Sequence, residues 1–354
     1  MTARIQWIDV LKGIAIIFVV LGHCNPGHQL YTYLYSFHLF LFIFVSGYLF
    51  DRTRYSGYGT FVKRKAKTLL LPYAIFYAII FGYYTINPLH TIPYSLFRYN
   101  LGNTAYIVAE IQAFLWAGNA FYIINNAVVL WFLPCLFLTE NIFYGIHTIT
   151  GQMPRRIVAM LIVVAALAYF EYVILRQIRF PWSLDVALTC VLFFSIGNLI
   201  KPLVPAQVFS RSNLVLTAMV IAFIVNIAAS RINGMTDLAT VQYKNYFLYL
   251  TSAAGGVAFW VFCVRRFTFP VFLTYLGRNS LIVYGLHLIF KEWALLAFSA
   301  ATSILLNDAT SIDLNIKAGI ISGMIILFCI PFIELTNRVL LPIFNREKHA
   351  AAES

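Results

Sequence analysis

A lysine and a histidine stand at the two ends of KGIAIIFVVLGH, Lys12 to His23, with no polar residue between them. Histidine takes and returns a proton near neutral pH, so His23 is a candidate general base or nucleophile. Lysine carries a point charge suited to a phosphate. Eleven residues of helix rise about 16 Å and close three turns of 3.6, which puts both side chains on one face. Gly22 removes bulk beside the imidazole, so a substrate can come close. Asp9 precedes Lys12 by three residues, a spacing that faces on a helix and lets the carboxylate balance or orient the lysine. The plainer reading makes Lys12 an interfacial anchor and His23 a histidine satisfied by a neighbouring helix. These residues alone leave both open.

Such side chains need elements to hold them, and the composition says which kind. Of 354 residues, 61% are hydrophobic and 11% charged, against roughly 25% charged in soluble globular domains. The chain reads as an all-α, polytopic integral membrane protein. Apolar windows of about 20 residues predict ten helices near 8–24, 31–50, 68–86, 125–146, 157–177, 184–200, 212–230, 246–264, 280–299 and 318–341. The first run starts late and lacks a small-residue cleavage site, so it reads as a membrane helix rather than a cleaved leader. With the N-terminus in the cytoplasm, 18 of the 25 lysines and arginines fall in inside segments, which predicts that both termini are cytoplasmic. The net charge of +12 is then a topology signal; membrane lipid, not nucleic acid, is the expected partner. The five cysteines are scattered, with no metal-ligand spacing and no disulfide framework, and read as packing residues with no metal expected. The two halves show no inverted repeat, which counts against a secondary transporter.

Ionisable residues inside spans are costly and default to functional hypotheses. His38 lies on the second helix ahead of an apolar run, with Ser46 and Gly47 beyond it permitting close packing. His287 lies in SLIVYGLHLIF on the ninth helix. Each fits a packed core histidine, yet three histidines on three helices also fit one shared polar cavity. Glu140, Glu171, Lys291, Glu292 and Glu334 read as interface residues. The stretch DRTRYSGYGTFVKRKAKTLLLP clusters Lys63, Arg64, Lys65 and Lys67 just before the third helix. That cluster serves either as a topology-setting, lipid-touching patch or as a phosphate clamp. The outer segment 87–124 is rich in aromatics (Tyr94, Phe97, Tyr99, Tyr106, Phe114, Trp116, Phe121, Tyr122), with Glu110 and Gln112 among them. A long segment of this kind is usually functional, and it reads as partly helical at the outer interface.

In order, the chain carries WIDVLKGIAIIFVVLGH, SFHLFLFIFVSGYLF, FVKRKAKTLLLPY, VVLWFLPCLFL and LTYLGRNSLIVYGLHLIF. This series resembles the membrane acyltransferase-3 family, and within it the fucose 4-O-acetylase-like subgroup that modifies surface polysaccharides. The likeness runs from about residue 5 to 342 and implies one transmembrane acyltransferase domain, 1–345, with a short cytoplasmic tail, 346–354. It implies acetyl-CoA or another acyl-CoA as co-substrate, and a glycan or glycolipid hydroxyl as acceptor, in a bacterial inner membrane. The family has a basic residue eleven positions before the first-helix histidine, normally arginine; here it is Lys12, a point charge in place of a planar fork. The resemblance makes His23 the base or acyl-accepting nucleophile, aided by Asp9. It assigns Lys12, Arg64, Lys65, Lys67 and Arg278 to the acyl-CoA. The aromatic segment 87–124 would help hold the acceptor, because apolar sugar faces stack on aromatic rings, and His38, Glu110, Trp131 and His287 are the candidate acceptor contacts. Two other classes stay on the table. A transporter or flippase of a glycan precursor would move substrate without consuming acyl-CoA, and a scaffold or sensor would tolerate loss of His23.

Overall fold

The computed structural model describes residues 5–86, 108, 110–117, 126–151, 153–175, 177–201, 213–305 and 312–340. Among these the chain is helical, and the one β feature is an isolated bridge between Asp237 and Gln242. Ten helices are long and apolar enough to cross a membrane, as the apolar windows predict. Helices are the form such segments take, because hydrocarbon offers no partner to an unsatisfied backbone N–H or C=O.

The first span is α1 (Gln6–His23). The second is broken into α2 (His28–Tyr35) and α3 (His38–Leu49). The third starts well before its apolar window. It runs through α4 (Tyr58–Lys65), a π-helical turn (Ala66–Leu70) and α5 (Leu71–Ile86). The basic cluster therefore lies on the helix and not in the loop ahead of it. Lysine and arginine lower hydropathy but are good helix formers, so the helix outlasts the apolar window. Next come α6 (Phe132–Ile149), α7 (Pro154–Phe170), α8 (Leu184–Ile200), α9 (Asn213–Asn233) and α10 (Tyr246–Arg266). The series closes with α11 (Val271–Arg278), α12 (Ser280–Leu305) and α13 (Leu314–Leu335). Local chemistry sets several starts. Pro154 opens α7, where its missing N–H costs nothing. The Asn245 side chain caps α10 by accepting from Leu248 N at 3.0 Å. Asp313 caps α13 by accepting from Asn315 N at 2.9 Å and Ile316 N at 3.2 Å. Of the aromatic outer segment, residues 110–116 are helical. Tyr94, Phe97, Tyr99, Tyr106, Phe121 and Tyr122 lie outside the described residues, as does the tail 346–354.

The helices group into two compact units, Met1–Leu34 with Phe269–Ser354, and Tyr35–Thr268. In the first, α1 packs along the short helix α11, and α12 packs against α13. The α1–α11 crossing is close enough to exclude a side chain. A Cβ at Gly277 would run into the Asp9 carbonyl, and one at Gly13 into the Leu273 carbonyl. Small residues at such crossings let backbones approach, which is how helices gain packing energy where lipid removes the hydrophobic drive.

In the second unit α3 packs on α8, and α9 on α10. Gly47, flagged in the sequence for close packing, meets the Phe194 carbonyl, and Gly197 of α8 meets that of Phe44. Buried Asn226 of α9 donates to Ser36 Oγ at 3.1 Å, Ser252 O at 2.8 Å and Ser252 Oγ at 3.0 Å. Hydrogen bonds of this kind hold helices together in an apolar surround.

Candidate active site

The first unit carries Asp9, Lys12, His23, Arg278 and His287. One helix, α1, holds the first three, with His23 its last residue. Lys12 and His23 are both half-buried, and their eleven-residue spacing puts them on one face about 16 Å apart. At the start of α1, Arg278 donates from Nε to Asp9 Oδ2 at 3.1 Å. The carboxylate that the sequence pairs with Lys12 is thus an ion-pair partner of Arg278. The arginine side chain is 44% exposed, so the pair adds little stability. Its effect is to aim the guanidinium, since only Nε is engaged among the described residues.

At the far end of α1 the imidazoles of His23 and His287 lie side by side, ring centroids 5.1 Å apart at 42°. His287 is fully buried. Its Nδ1 lies 2.7 Å from the Tyr284 carbonyl one turn back on α12. A carbonyl only accepts, so Nδ1 carries the hydrogen and Nε2 presents a lone pair. That Nε2 has no hydrogen-bond partner among the described residues.

One neighbour reads from the sequence only as a packing cysteine. Cys24, next to His23, is buried, with Ser322 of α13 and Lys291 within electrostatic reach of it. Burial pushes the Cys24 thiol above its ordinary range, partly offset by Ser322 and Lys291. The adjacency in GHC was the only sequence signal. The opposite end carries a second polar cluster, in which Tyr275 Oη and Arg338 Nε donate to Glu334 at 2.9 and 2.8 Å.

The second unit holds the remaining candidates. His38 opens α3, is buried, and lies 5.0 Å from the Tyr35 ring. Trp131 is buried at the start of α6, edge-on to Phe132 at 5.8 Å. Glu110 is buried as well, and Tyr77 Oη donates to its Oε2 at 2.7 Å. This hydrogen bond ties the 110–116 helix to α5. Of the basic cluster, Lys63, Arg64 and Lys67 are exposed along the start of the third span. Arg64 lies over the Tyr55 ring at 5.7 Å.

Lys65 differs from its neighbours. Its Nζ lies 2.9 Å from Glu140 Oε2 and 3.0 Å from Oε1. Glu140 and Glu171, read from the sequence as interface residues, are buried among the helices. Removing one partner of a buried pair strands the other charge, at about 3 kcal/mol. Lys65→Met is therefore expected to destabilise the fold by about that much, and Lys65→Met/Glu140→Leu by clearly less, as read in a double-mutant cycle of thermal denaturation. Arg64→Ala and Lys67→Ala should leave stability unchanged.

A further buried ion pair, missed in the sequence, joins Arg179 to Asp185 at 3.0 Å, with Arg179 Nη2 donating to the Ala239 carbonyl at 2.7 Å. Nearby Asp237 has its carboxyl pushed up by burial, against hydrogen bonds from Thr240 and Ala239 that pull it down. Among the described residues no group of three or more histidine, cysteine, aspartate or glutamate side chains is placed to hold a metal ion.

The chain matches a family model, Acyl_transf_3, described as an acyltransferase domain, over residues 5–334. No curated protein and no solved structure matches it significantly. The matched span takes in the α1 residues, the basic start of the third span and the histidine of α12. With ten helices long and apolar enough to cross a membrane, the chain belongs to the membrane acyltransferase-3 family.

Proposed function

We propose that the protein is an O-acyltransferase of a bacterial inner membrane that moves an acetyl group from cytoplasmic acetyl-CoA to a hydroxyl of a cell-envelope or exported glycan. The observation that carries this reading is the arrangement on α1. An imidazole, His23, sits beside a second imidazole at one end of the helix, and the lysine and the Asp9–Arg278 pair sit at the other. Acyl transfer from a thioester needs no metal, only a base or nucleophile near the acyl carbon and cations for the phosphates of the donor. His23 serves as general base toward the sugar hydroxyl or as the nucleophile that first accepts the acetyl group. The excess of lysine and arginine at the start of α1 and of α4 favours the cytoplasmic side for those ends. Within the first unit Lys12 and Arg278 are the phosphate contacts, and the exposed Arg64 and Lys67 of the second unit remain a basic patch suited to anionic lipid. Lys65 is drawn off by Glu140. The family membership supports acyl transfer itself; a surface polysaccharide as acceptor rests on the five sequence motifs.

The reading is tested with full-length protein in lipid nanodiscs, following thiol release from acetyl-CoA with and without methyl glycosides of fucose, glucose and N-acetylglucosamine. Thiol release with ester formation on a glycoside is the expected result. Binding of a glycan with no consumption of acetyl-CoA is the result of a transporter or flippase, and overturns it. In the same assay Arg278→Ala is expected to raise the KM for acetyl-CoA about tenfold with little change in kcat, the mark of a contact equal in ground and transition states.

A further inference from the structure

His287 has a use that the proposed function leaves open. Its ring is fully buried, and the bond from Nδ1–H to the Tyr284 carbonyl fixes the tautomer. The opposite nitrogen, Nε2, is a bare acceptor with no partner among the described residues. Buried acceptors are nearly always satisfied, and an exception calls for an explanation. A packing histidine would be expected to satisfy both nitrogens. This one satisfies the nitrogen that sets its orientation and holds back the one that can take a proton. The other ring at 5.1 Å is His23. At that separation one hydroxyl group can hydrogen-bond to one imidazole while its oxygen closes on an acyl carbon carried by the other, a near-attack geometry of roughly 3 to 3.5 Å.

Building on the proposed acyltransferase function, we infer that the two imidazoles divide the reaction. His23 carries the acetyl group, and His287 is the base that deprotonates the acceptor hydroxyl. In the first half, the lone-pair nitrogen of His23 attacks the thioester carbonyl; a C–N bond forms and the C–S bond breaks. The CoA thiolate leaves and takes the proton from the other nitrogen of His23, giving free thiol and a neutral acetyl-imidazole. In the second half, the acceptor oxygen attacks the acetyl carbon while its proton passes to His287 Nε2. An O–C bond forms, the C–N bond to His23 breaks, and the His23 imidazolide recovers its proton from His287. Both rings end as they began. A single histidine acting as both nucleophile and base would have its nitrogen blocked by acetyl when the hydroxyl arrives, and the second ring removes that conflict.

The test uses full-length protein in nanodiscs, acetyl-CoA as donor, and water and hydroxylamine as acceptors, so that no sugar need be identified. Wild type is expected to release about one equivalent of CoA thiol in a burst, then turn over slowly by hydrolysis. His287→Asn keeps a donor for the Tyr284 carbonyl and lacks Nε2; His287→Gln lacks a titratable nitrogen altogether. Both variants are expected to keep the burst and to lose about 10²-fold in the steady rate, the usual worth of a general base. Hydroxylamine attacks an acyl-imidazole without base assistance and should restore thiol release to near the wild-type rate. His23→Ala should show no burst. A wild type that acetylates methyl glycosides without any burst overturns the inference and leaves the transferase reading standing. A His287→Asn protein with a steady rate within about threefold of wild type, or with the burst also lost, overturns the inference too. A wild type showing neither a burst nor glycoside acetylation overturns the transferase reading itself.

Discussion

Gly277→Val is expected to lower the thermal midpoint of the purified protein by about 4 °C or more, read by loss of the monodisperse peak on heating in detergent. The reason is local and steric. A Cβ at this position would run into the Asp9 carbonyl and come within 2.9 Å of Gly13 N, both backbone atoms of α1. Backbone cannot rotate aside as a side chain can, so α11 must back away from α1. Overpacking costs about 1 to 3 kcal/mol in ordinary cores, and a backbone collision belongs at or beyond the top of that range. About 3 kcal/mol corresponds to roughly 4 °C in a chain of this size. Retreat of α11 would also pull Arg278 from Asp9, so acetyl-CoA use should fall along with stability. Gly319→Ala and Gly323→Ala on α13 are the controls, since nothing lies within 4 Å of a Cβ at either. They should be neutral or slightly stabilising, because alanine outranks glycine in a helix. A Gly277→Val midpoint within 1 °C of wild type would show that the α1–α11 crossing is looser than described.

The second large effect is chemical. His23→Ala is expected to cut acetyl transfer at least about 10³-fold. His23 is the last residue of α1 and only half-buried, so its truncation removes little packing. The midpoint should stay within a few degrees of wild type, and acetyl-CoA binding should survive, because Lys12 and Arg278, the proposed phosphate contacts, lie toward the other end of the helix. A loss of kcat with KM nearly unchanged separates a chemical role from a binding one.

Much of this was legible in the chain. Long apolar runs give ten spans because a lipid-embedded segment has few alternatives to helix. Their ends were less legible where charge and helix part company. The third span extends back to Tyr58 through Arg64 and Lys65, residues that lower hydropathy without ending a helix. The break at Ser36 and Phe37 carries no proline or glycine to announce it. Asp9, Lys12 and His23 could be placed on one face because helical periodicity relates residues close in sequence. Partners far apart in the chain could not be read that way. Arg278 and Asp9 are 269 positions apart, and Lys65 and Glu140 are 75 apart. Periodicity says nothing about either pair. From the sequence Lys65 groups with the basic residues beside it, and Glu140 reads as an interface side chain. His23 and His287 were both visible as intramembrane histidines, but their side-by-side placement belongs to the packing of α1 and α12, not to any motif.

The most direct measurement of the central claim is transfer of labelled acetyl from acetyl-CoA by full-length wild type and His23→Ala side by side, with thermal midpoints recorded on the same preparations. The expected result is labelled ester on a saccharide hydroxyl with wild type, and essentially none with a His23→Ala protein of near-normal midpoint. Equal transfer by the two proteins would contradict it.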